Sequence, residues 1–316
     1  MSRHGPGLRA ASVACLSAAY LMVVLGSTVR ITNSGMGCSS WPLFNGHLGL
    51  SGTEHAVLEQ SHRYLAVVVT VLVVAIFGLA WRRARKDKLV YSAAASAVIL
   101  IVVQVLLGAI TVWLKNAGWT VALHLAGAWL LVAAVTVTAV AVWRVPAEYG
   151  ADSSSVRVAP AGRVGVIAAA SLFCLAASGM LVLDAGASNA CRGWPVCGGG
   201  SGSATLVALQ YLHRSFGVVA TVAIGWTALR VLRAARTDLT GRALAGSALV
   251  LLAVTAGLGA LVATTGAPAA EQDFHLAVAT ALWVTVVALA TPGWAAAPPA
   301  APAGAAPVSA TGSGRI

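Results

Sequence analysis

The stretch VYSAAASAVILIVVQVLLGAITVW, residues 90–113, contains no Asp, Glu, Lys or Arg. As an α-helix rising 1.5 Å per residue it is long enough to cross the roughly 30 Å hydrocarbon core of a bilayer. Lipid accepts a backbone whose polar groups are bonded within the segment, and a helix meets that condition. Seven further stretches read the same way, at about 12–31, 62–81, 120–143, 164–184, 206–229, 243–264 and 274–291. The overall composition agrees: of 316 residues 59% are apolar and 9% charged, with a mean hydropathy of +0.85. A soluble domain carries roughly a quarter of its residues charged, so this chain cannot cover a water-facing surface, and it is too apolar to be disordered as a whole. The expected fold class is an all-α membrane protein with eight transmembrane helices.

The net charge of +11 is accounted for by topology. Eight spans put both termini on one side. That side holds fifteen of the twenty basic residues: Arg3, Arg9, Arg82, Arg83, Arg85, Lys86, Lys88, Arg144, Arg157, Arg163, Arg230, Arg233, Arg236, Arg242 and Arg315. The other side has Arg30, Lys115 and Arg192, with Arg63 and Arg214 at helix mouths. The positive-inside rule then places both termini in the cytoplasm, and no basic surface is left over for nucleic acid. The first span has basic residues ahead of it but no small-residue cleavage pattern behind it, so it reads as a retained helix rather than a signal peptide. Residues 293–316 form a Pro/Ala tail expected to be disordered.

The chain repeats itself. His62 and His124 are 62 residues apart, as are His213 and His275, and an offset of 151 carries the first pair onto the second. The same offset carries Leu107-Gly108-Ala109 onto Leu258-Gly259-Ala260 and His62-Arg63 onto His213-Arg214. An offset of 153 carries Cys38 onto Cys191 and Trp41-Pro42 onto Trp194-Pro195. Four spans per half is an even number, so both halves enter the membrane in the same sense. The expected arrangement is a parallel repeat of two four-helix bundles about a pseudo-twofold axis along the membrane normal, unlike an inverted repeat. The basic, Pro- and Ser-containing linker from Arg144 to Arg163 divides them, giving bundles at 1–150 and 151–292.

Each of the four histidines falls in the first turns of an even-numbered helix entering from the outer face, so they share one depth near the outer leaflet. Imidazole in lipid is costly unless its nitrogens are satisfied, and intramembrane histidines usually face the bundle interior and carry function. Each could simply bond a neighbouring Ser, Thr or carbonyl. Two pairs with equal spacing, duplicated context and no adjoining zinc set instead suit the two axial positions of a heme iron. Small residues such as Leu125-Ala126-Gly127-Ala128 leave room for a planar macrocycle.

The outer-loop runs from Gly35 through Cys38, Trp41 and Pro42 to Gly46, and from Cys191 through Trp194 and Pro195 to Gly198, add a second signature. Together with Glu59-Gln60-Ser61-His62-Arg63, Leu123-His124-Leu125-Ala126, Leu212-His213-Arg214 and Phe274-His275-Leu276-Ala277, they make the chain resemble the heme A synthase family over all but its tail. Each motif is short; their order, spacing and duplication carry the match. The resemblance implies an eight-helix plasma-membrane enzyme that oxidises the C8 methyl of heme O to the formyl of heme A for cytochrome c oxidase, through successive hydroxylations and loss of water. It implies heme b on the histidine pair of one half and heme O/heme A as substrate and product in the other, with the sites toward the outer face. Heme O synthase and oxidase assembly factors are the implied partners; the electron acceptor and any homo-oligomer are not specified.

One difference between the halves bears on which does the chemistry. Glu59 lies three residues before His62 on the same helix face, and Gln210 takes the matching place before His213. A carboxylate can take up a proton or stabilise positive charge during C–H oxidation, and an amide cannot. This places catalysis in the N-terminal half with Glu59, the alternative being that Glu59 pairs with Arg63 or Arg30. Arg30, Arg63 and Arg214 sit at outer helix ends, where they can bind heme propionates or snorkel to headgroups.

The cysteines depart from the family. Members with a cysteine pair in the first outer loop have the second near Phe44, and it is absent here. Cys38 is left as a free thiol or a bridge to the other half, while Cys191 and Cys197 can close a small ring in an oxidising compartment. Cys15 and Cys174 read as packing residues; His4, His47 and His55 receive no role. Two other function classes fit the histidines: a diheme cytochrome b that only passes electrons, and a transporter using them as proton relays.

Overall fold

The computed structural model describes residues 4–37, 40–41, 52–143, 160–234 and 239–291. Cys38, Phe44, His47, most of the linker and the 293–316 tail lie outside them. The described chain is all-helical. Its helices are α1 (Gly5–Ile31), α2 (Glu54–Arg83), α3 (Lys88–Trp113), α4 (Gly118–Trp143), α5 (Pro160–Asp184), α6 (Ala204–Ala234), α7 (Leu239–Thr265) and α8 (Ala269–Ala290), with one 3-10 turn at Ala187–Asn189. All eight are long and apolar enough to cross a membrane.

Local chemistry sets the helix starts. The Thr53 hydroxyl accepts from Ala56 N–H at 3.4 Å ahead of α2, and Asp87 accepts from Val90 N–H at 3.3 Å ahead of α3. Proline opens α1, α5 and the approach to α8, where a missing N–H costs nothing. The Thr53 cap corrects the sequence reading, because α2 begins two turns before residue 62. Hydropathy registers the lipid-crossing part of a helix and misses a polar first segment. His62 and His213 therefore stand in the third turn of their helices, and His124 and His275 in the second.

Within the N-terminal half, α1 and α3 each pack on both α2 and α4; within the C-terminal half, α5 and α7 each pack on both α6 and α8. Each half is thus a ring of four in which α2 faces α4, and α6 faces α8, across the diagonal. The halves meet through α1 on α8, α4 on α8 and α4 on α5. The outward faces of α2, α3, α6 and α7 carry exposed apolar side chains, among them Val67, Val71, Ile99, Leu106, Val218 and Val222, as lipid contact requires.

The wall between the halves is built on a tryptophan pair. Trp129 of α4 and Trp283 of α8 stack with centroids 5.3 Å apart at 23°, and the Trp283 Nε1–H donates to the Trp129 carbonyl at 2.8 Å. Phe173 of α5 adds a third ring, 6.0 Å from Trp283. Nearer the histidine end, Tyr20 donates to the Ala277 carbonyl at 3.2 Å and Thr28 to the Asp273 carboxylate at 2.7 Å, both from α1 to α8. At the opposite end, Arg9 lies over the Trp143 ring at 4.8 Å.

Replacing Trp283 with Ala is expected to lower stability by about 3–5 kcal/mol, the scale for emptying a buried aromatic site, with Trp283→Phe falling in between. Thermal denaturation of the detergent-solubilised protein measures both, and an unchanged midpoint for the Ala variant contradicts this account of the wall.

Candidate functional site

The four histidines stand on two diagonals, His62 on α2 opposite His124 on α4 and His213 on α6 opposite His275 on α8. Members of each pair are close enough to interact electrostatically. Every ring rests on a glycine of the preceding helix. A Cβ added to Gly26 would lie 2.9 Å from His62 Cε1, to Gly179 3.0 Å from His213 Cε1, to Gly259 3.1 Å from His275 Cε1, and to Gly108 3.5 Å from His124 Cε1. Glycine is what lets the backbone approach an imidazole so closely. Gly108 and Gly259 appeared in the sequence repeat, whereas the roles of Gly26 and Gly179 did not, although the loop offset of 153 carries one onto the other.

Orientation follows from this seating. The Nδ1 atoms of His62 and His124 are buried without a hydrogen-bond partner, that of His275 is buried against the Thr255 backbone, and His213 Nδ1 lies 3.0 Å from Ser178 Oγ and 3.1 Å from the Leu175 carbonyl. All four residues nevertheless retain partial exposure. Cε1 and Nδ1 lie nearer the glycine than Nε2 does for His62, His213 and His275, so Nε2 is the ring nitrogen turned away from that contact. Among the described residues no group of three or more His, Cys, Asp or Glu gathers into a metal set. Each bundle carries two histidines on diagonally opposite helices, residues that could serve as the two axial donors of a heme iron.

Glu59 and Gln210 are both buried, at 4% and 7% exposure, but they are employed differently. Glu59 forms an ion pair with Arg63 at 2.5 Å, one of the two arrangements left open by the sequence. Gln210 Nε2–H donates to the Ala187 carbonyl at 2.8 Å and the Ser188 carbonyl at 3.3 Å, tying the 3-10 turn after α5 to α6. The arginines hold loops. Arg63 donates to the Ser40 carbonyl at 2.7 Å; Arg214 donates to the Pro195 carbonyl at 3.0 Å and the Cys191 carbonyl at 3.3 Å. In both halves the residue after the histidine thus clamps the Trp-Pro loop above it. Arg30, at the end of α1, has a buried Nε without a partner.

The loop that follows is closed by backbone bonds from Arg192 N–H to the Gly199 carbonyl at 2.6 Å and from Gly198 N–H to the Arg192 carbonyl at 2.7 Å. Gly193 and Gly200, at φ +106° and +126°, supply its left-handed turns. It brings Cys191 and Cys197 together with Cα atoms 5.1 Å apart, inside the span of a disulfide. Of the other residues singled out in the sequence, Cys15 is buried and Cys174 exposed, both as free thiols. His55 bonds Ser34 Oγ through Nδ1 at 2.7 Å, and His4 lies 3.3 Å from the Asp87 carboxylate at the opposite end of the molecule.

The sequence model of a family described as cytochrome oxidase assembly protein matches residues 9–287. A protein of Symbiobacterium thermophilum named heme A synthase is 30% identical over 287 residues, covering 87% of this chain and 92% of the relative. A heme A synthase of Listeria monocytogenes is 28% identical over 290 residues, covering 89% and 92%, and one of Bacillus licheniformis is 26% identical over 221 residues, covering 69% and 72%. With the family match running through all eight helices from α1 to α8, the chain belongs to the cytochrome oxidase assembly protein family.

Proposed function

We propose that this protein is a heme A synthase that oxidises the C8 methyl of heme O to a formyl group, giving heme A for cytochrome c oxidase. The observation that carries the reading is the repeated pair of facing histidines, each seated on a glycine, in a chain whose relatives are named heme A synthases. In this reading residues 1–150 form the catalytic bundle and take heme O between His62 and His124. Residues 151–292 form a second bundle, related to the first by a pseudo-twofold axis along the membrane normal, and hold heme b between His213 and His275. The donor sets fit: each bundle offers two imidazoles, and glycines keep the helices close without blocking the interior.

A bound heme b supplies reversible one-electron redox chemistry. The chain supplies position and proton handling. Methyl-to-formyl conversion, R–CH3 + H2O → R–CHO + 4 e− + 4 H+, takes its oxygen from water, so four electrons leave to an acceptor outside the chain and four protons leave the site. Glu59, one turn from His62 toward the loop face, is the group placed to take such a proton or to stabilise developing positive charge. Arg63 positions that carboxylate through the ion pair and fixes the Ser40 loop over the site. When a heme propionate enters, Arg63, Arg30 and Arg214 are the cations at the right end of the molecule to meet it.

The basic-residue distribution supports placing both termini in the cytoplasm, in the plasma membrane, with the histidines toward the outer face. On that face Cys191 and Cys197 form a disulfide. Heme O synthase, which supplies the substrate, and oxidase assembly factors, which receive the product, are the corresponding partners. A diheme cytochrome b without group chemistry would use the same histidines, but it gives no account of a carboxylate in one half against an amide in the other. Extraction of the hemes from purified protein separates the two, because heme A and oxidised heme O derivatives accumulate on a synthase alone.

Loss of one axial ligand leaves a heme iron high-spin or unbound. His213→Ala or His275→Ala should therefore remove or perturb a resident low-spin heme b spectrum. His62→Ala or His124→Ala should abolish heme A formation and leave most of that spectrum; an intact spectrum after changing His213 and His275 reverses the assignment of the halves. Glu59→Gln should fold and bind heme yet slow heme A formation by roughly 100-fold or more, with heme O or its hydroxylated intermediate accumulating. A rate equal to wild type would reduce Glu59 to a structural partner of Arg63. Cys191 and Cys197 should resist a membrane-impermeant alkylating reagent until a reductant is added, and labelling of Cys191 beforehand rules out the disulfide.

A further inference from the structure

The buried face of α3 runs through Ala97, Ile101 and Gln104 toward Gly108, at steps of three and four residues, and Gly108 is the glycine beneath His124. Gln104 is 5% exposed, and its Nε2 is buried with no hydrogen-bond partner. Its amide fills the space over Gly127 of α4 that a side chain there would occupy. Gln104 is four residues from Gly108, and Gly127 three from His124. The amide therefore lies about 6 Å, one turn, further from the loop face than the imidazole. That distance is comparable with the reach from the iron of a heme to its rim.

An unmet donor in a buried place is costly to keep, and in a native protein it calls for a partner such as a bound water or a ligand. The C-terminal half has no amide at the matching position. The repeat offset of 151 places Thr255 at the matching position, where its hydroxyl bonds the Leu251 carbonyl of its own helix at 2.7 Å. The open amide and the buried carboxylate of Glu59 are thus both confined to the same bundle.

We propose that Gln104 is a specificity-determining residue: its amide hydrogen-bonds the alcohol of a hydroxyalkyl side chain on the inward edge of the heme that the N-terminal bundle takes. Charged propionates cannot enter lipid unpaired and stay at the loop face with its arginines. The opposite edge then points inward to Gln104. On heme O that edge bears the hydroxyl at the root of the isoprenoid chain, a group heme b lacks. The inference rests on the assignment of heme O to the N-terminal half.

Hematoheme, with 1-hydroxyethyl side chains, and mesoheme, with ethyl in their place, are probes that differ in these hydroxyls alone. Each is titrated by absorbance into the purified full-length protein, into Gln104→Leu, and into Gly127→Ala, whose new methyl displaces the amide. The preference for hematoheme over mesoheme should fall by about tenfold in Gln104→Leu, the value of one hydrogen bond, and should fall also in Gly127→Ala, while mesoheme binds at least as well as to wild type. A preference unchanged in Gln104→Leu overturns the role of Gln104, and Gln104→Met gives the same reading should the Leu variant not fold. A His62→Ala/His124→Ala double variant separates this from the assignment of the halves. If added heme still binds there and is lost instead from His213→Ala/His275→Ala, the half assignment fails, whatever Gln104 does.

Discussion

Close approach of a helix backbone to an imidazole ring is the constraint on which the rest of this molecule depends. A histidine within a bilayer needs its ring edge sealed and its remaining nitrogen aimed somewhere useful. Four glycines provide the seal, one on each odd-numbered helix, bringing α1 against α2, α3 against α4, α5 against α6 and α7 against α8 at the level of the rings. These contacts leave Nε2 as the ring nitrogen turned away from the neighbouring helix. The diagonal placement of α2 opposite α4, and of α6 opposite α8, then turns four separate residues into two facing pairs.

The duplicated framework makes its differences informative. Where one half carries Glu59 in an ion pair with Arg63, the other carries Gln210 bound to the Ala187 and Ser188 carbonyls. An amide donates to a carbonyl and so can fasten a turn, whereas a carboxylate accepts and has to be met by a cation. The same polar position thus serves as a fastener in one bundle and as part of a charged group beside a histidine in the other. The arginines diverge less, since Arg63 and Arg214 both hold carbonyls of the loop above them.

Much of this was legible in the sequence because lipid imposes simple rules. Helix number follows from apolar runs, and the equal spacing of His62 to His124 and of His213 to His275 is visible in the sequence itself. The start of α2 was not legible from hydropathy: the polar segment from Glu54 to Arg63 is helical because Thr53 caps it and not because it is apolar. The seats at Gly26 and Gly179 escaped notice because a glycine in an apolar helix looks like any small residue until its neighbour is known. Gln104 was hidden for a related reason. One amide in a long apolar run carries no sign of whether it is satisfied, and only the packing of α3 on α4 reveals its place over Gly127.

The tryptophan wall has a consequence for the spacing of the two histidine pairs. His124 and His275 stand on α4 and α8, the two helices that Trp129 and Trp283 lock face to face. The gap between the two histidine sites is therefore a property of helix packing in the middle of the molecule. On the proposed reading, with a heme held by each histidine pair, the distance an electron would have to cross between them is set by the packing of α4 on α8.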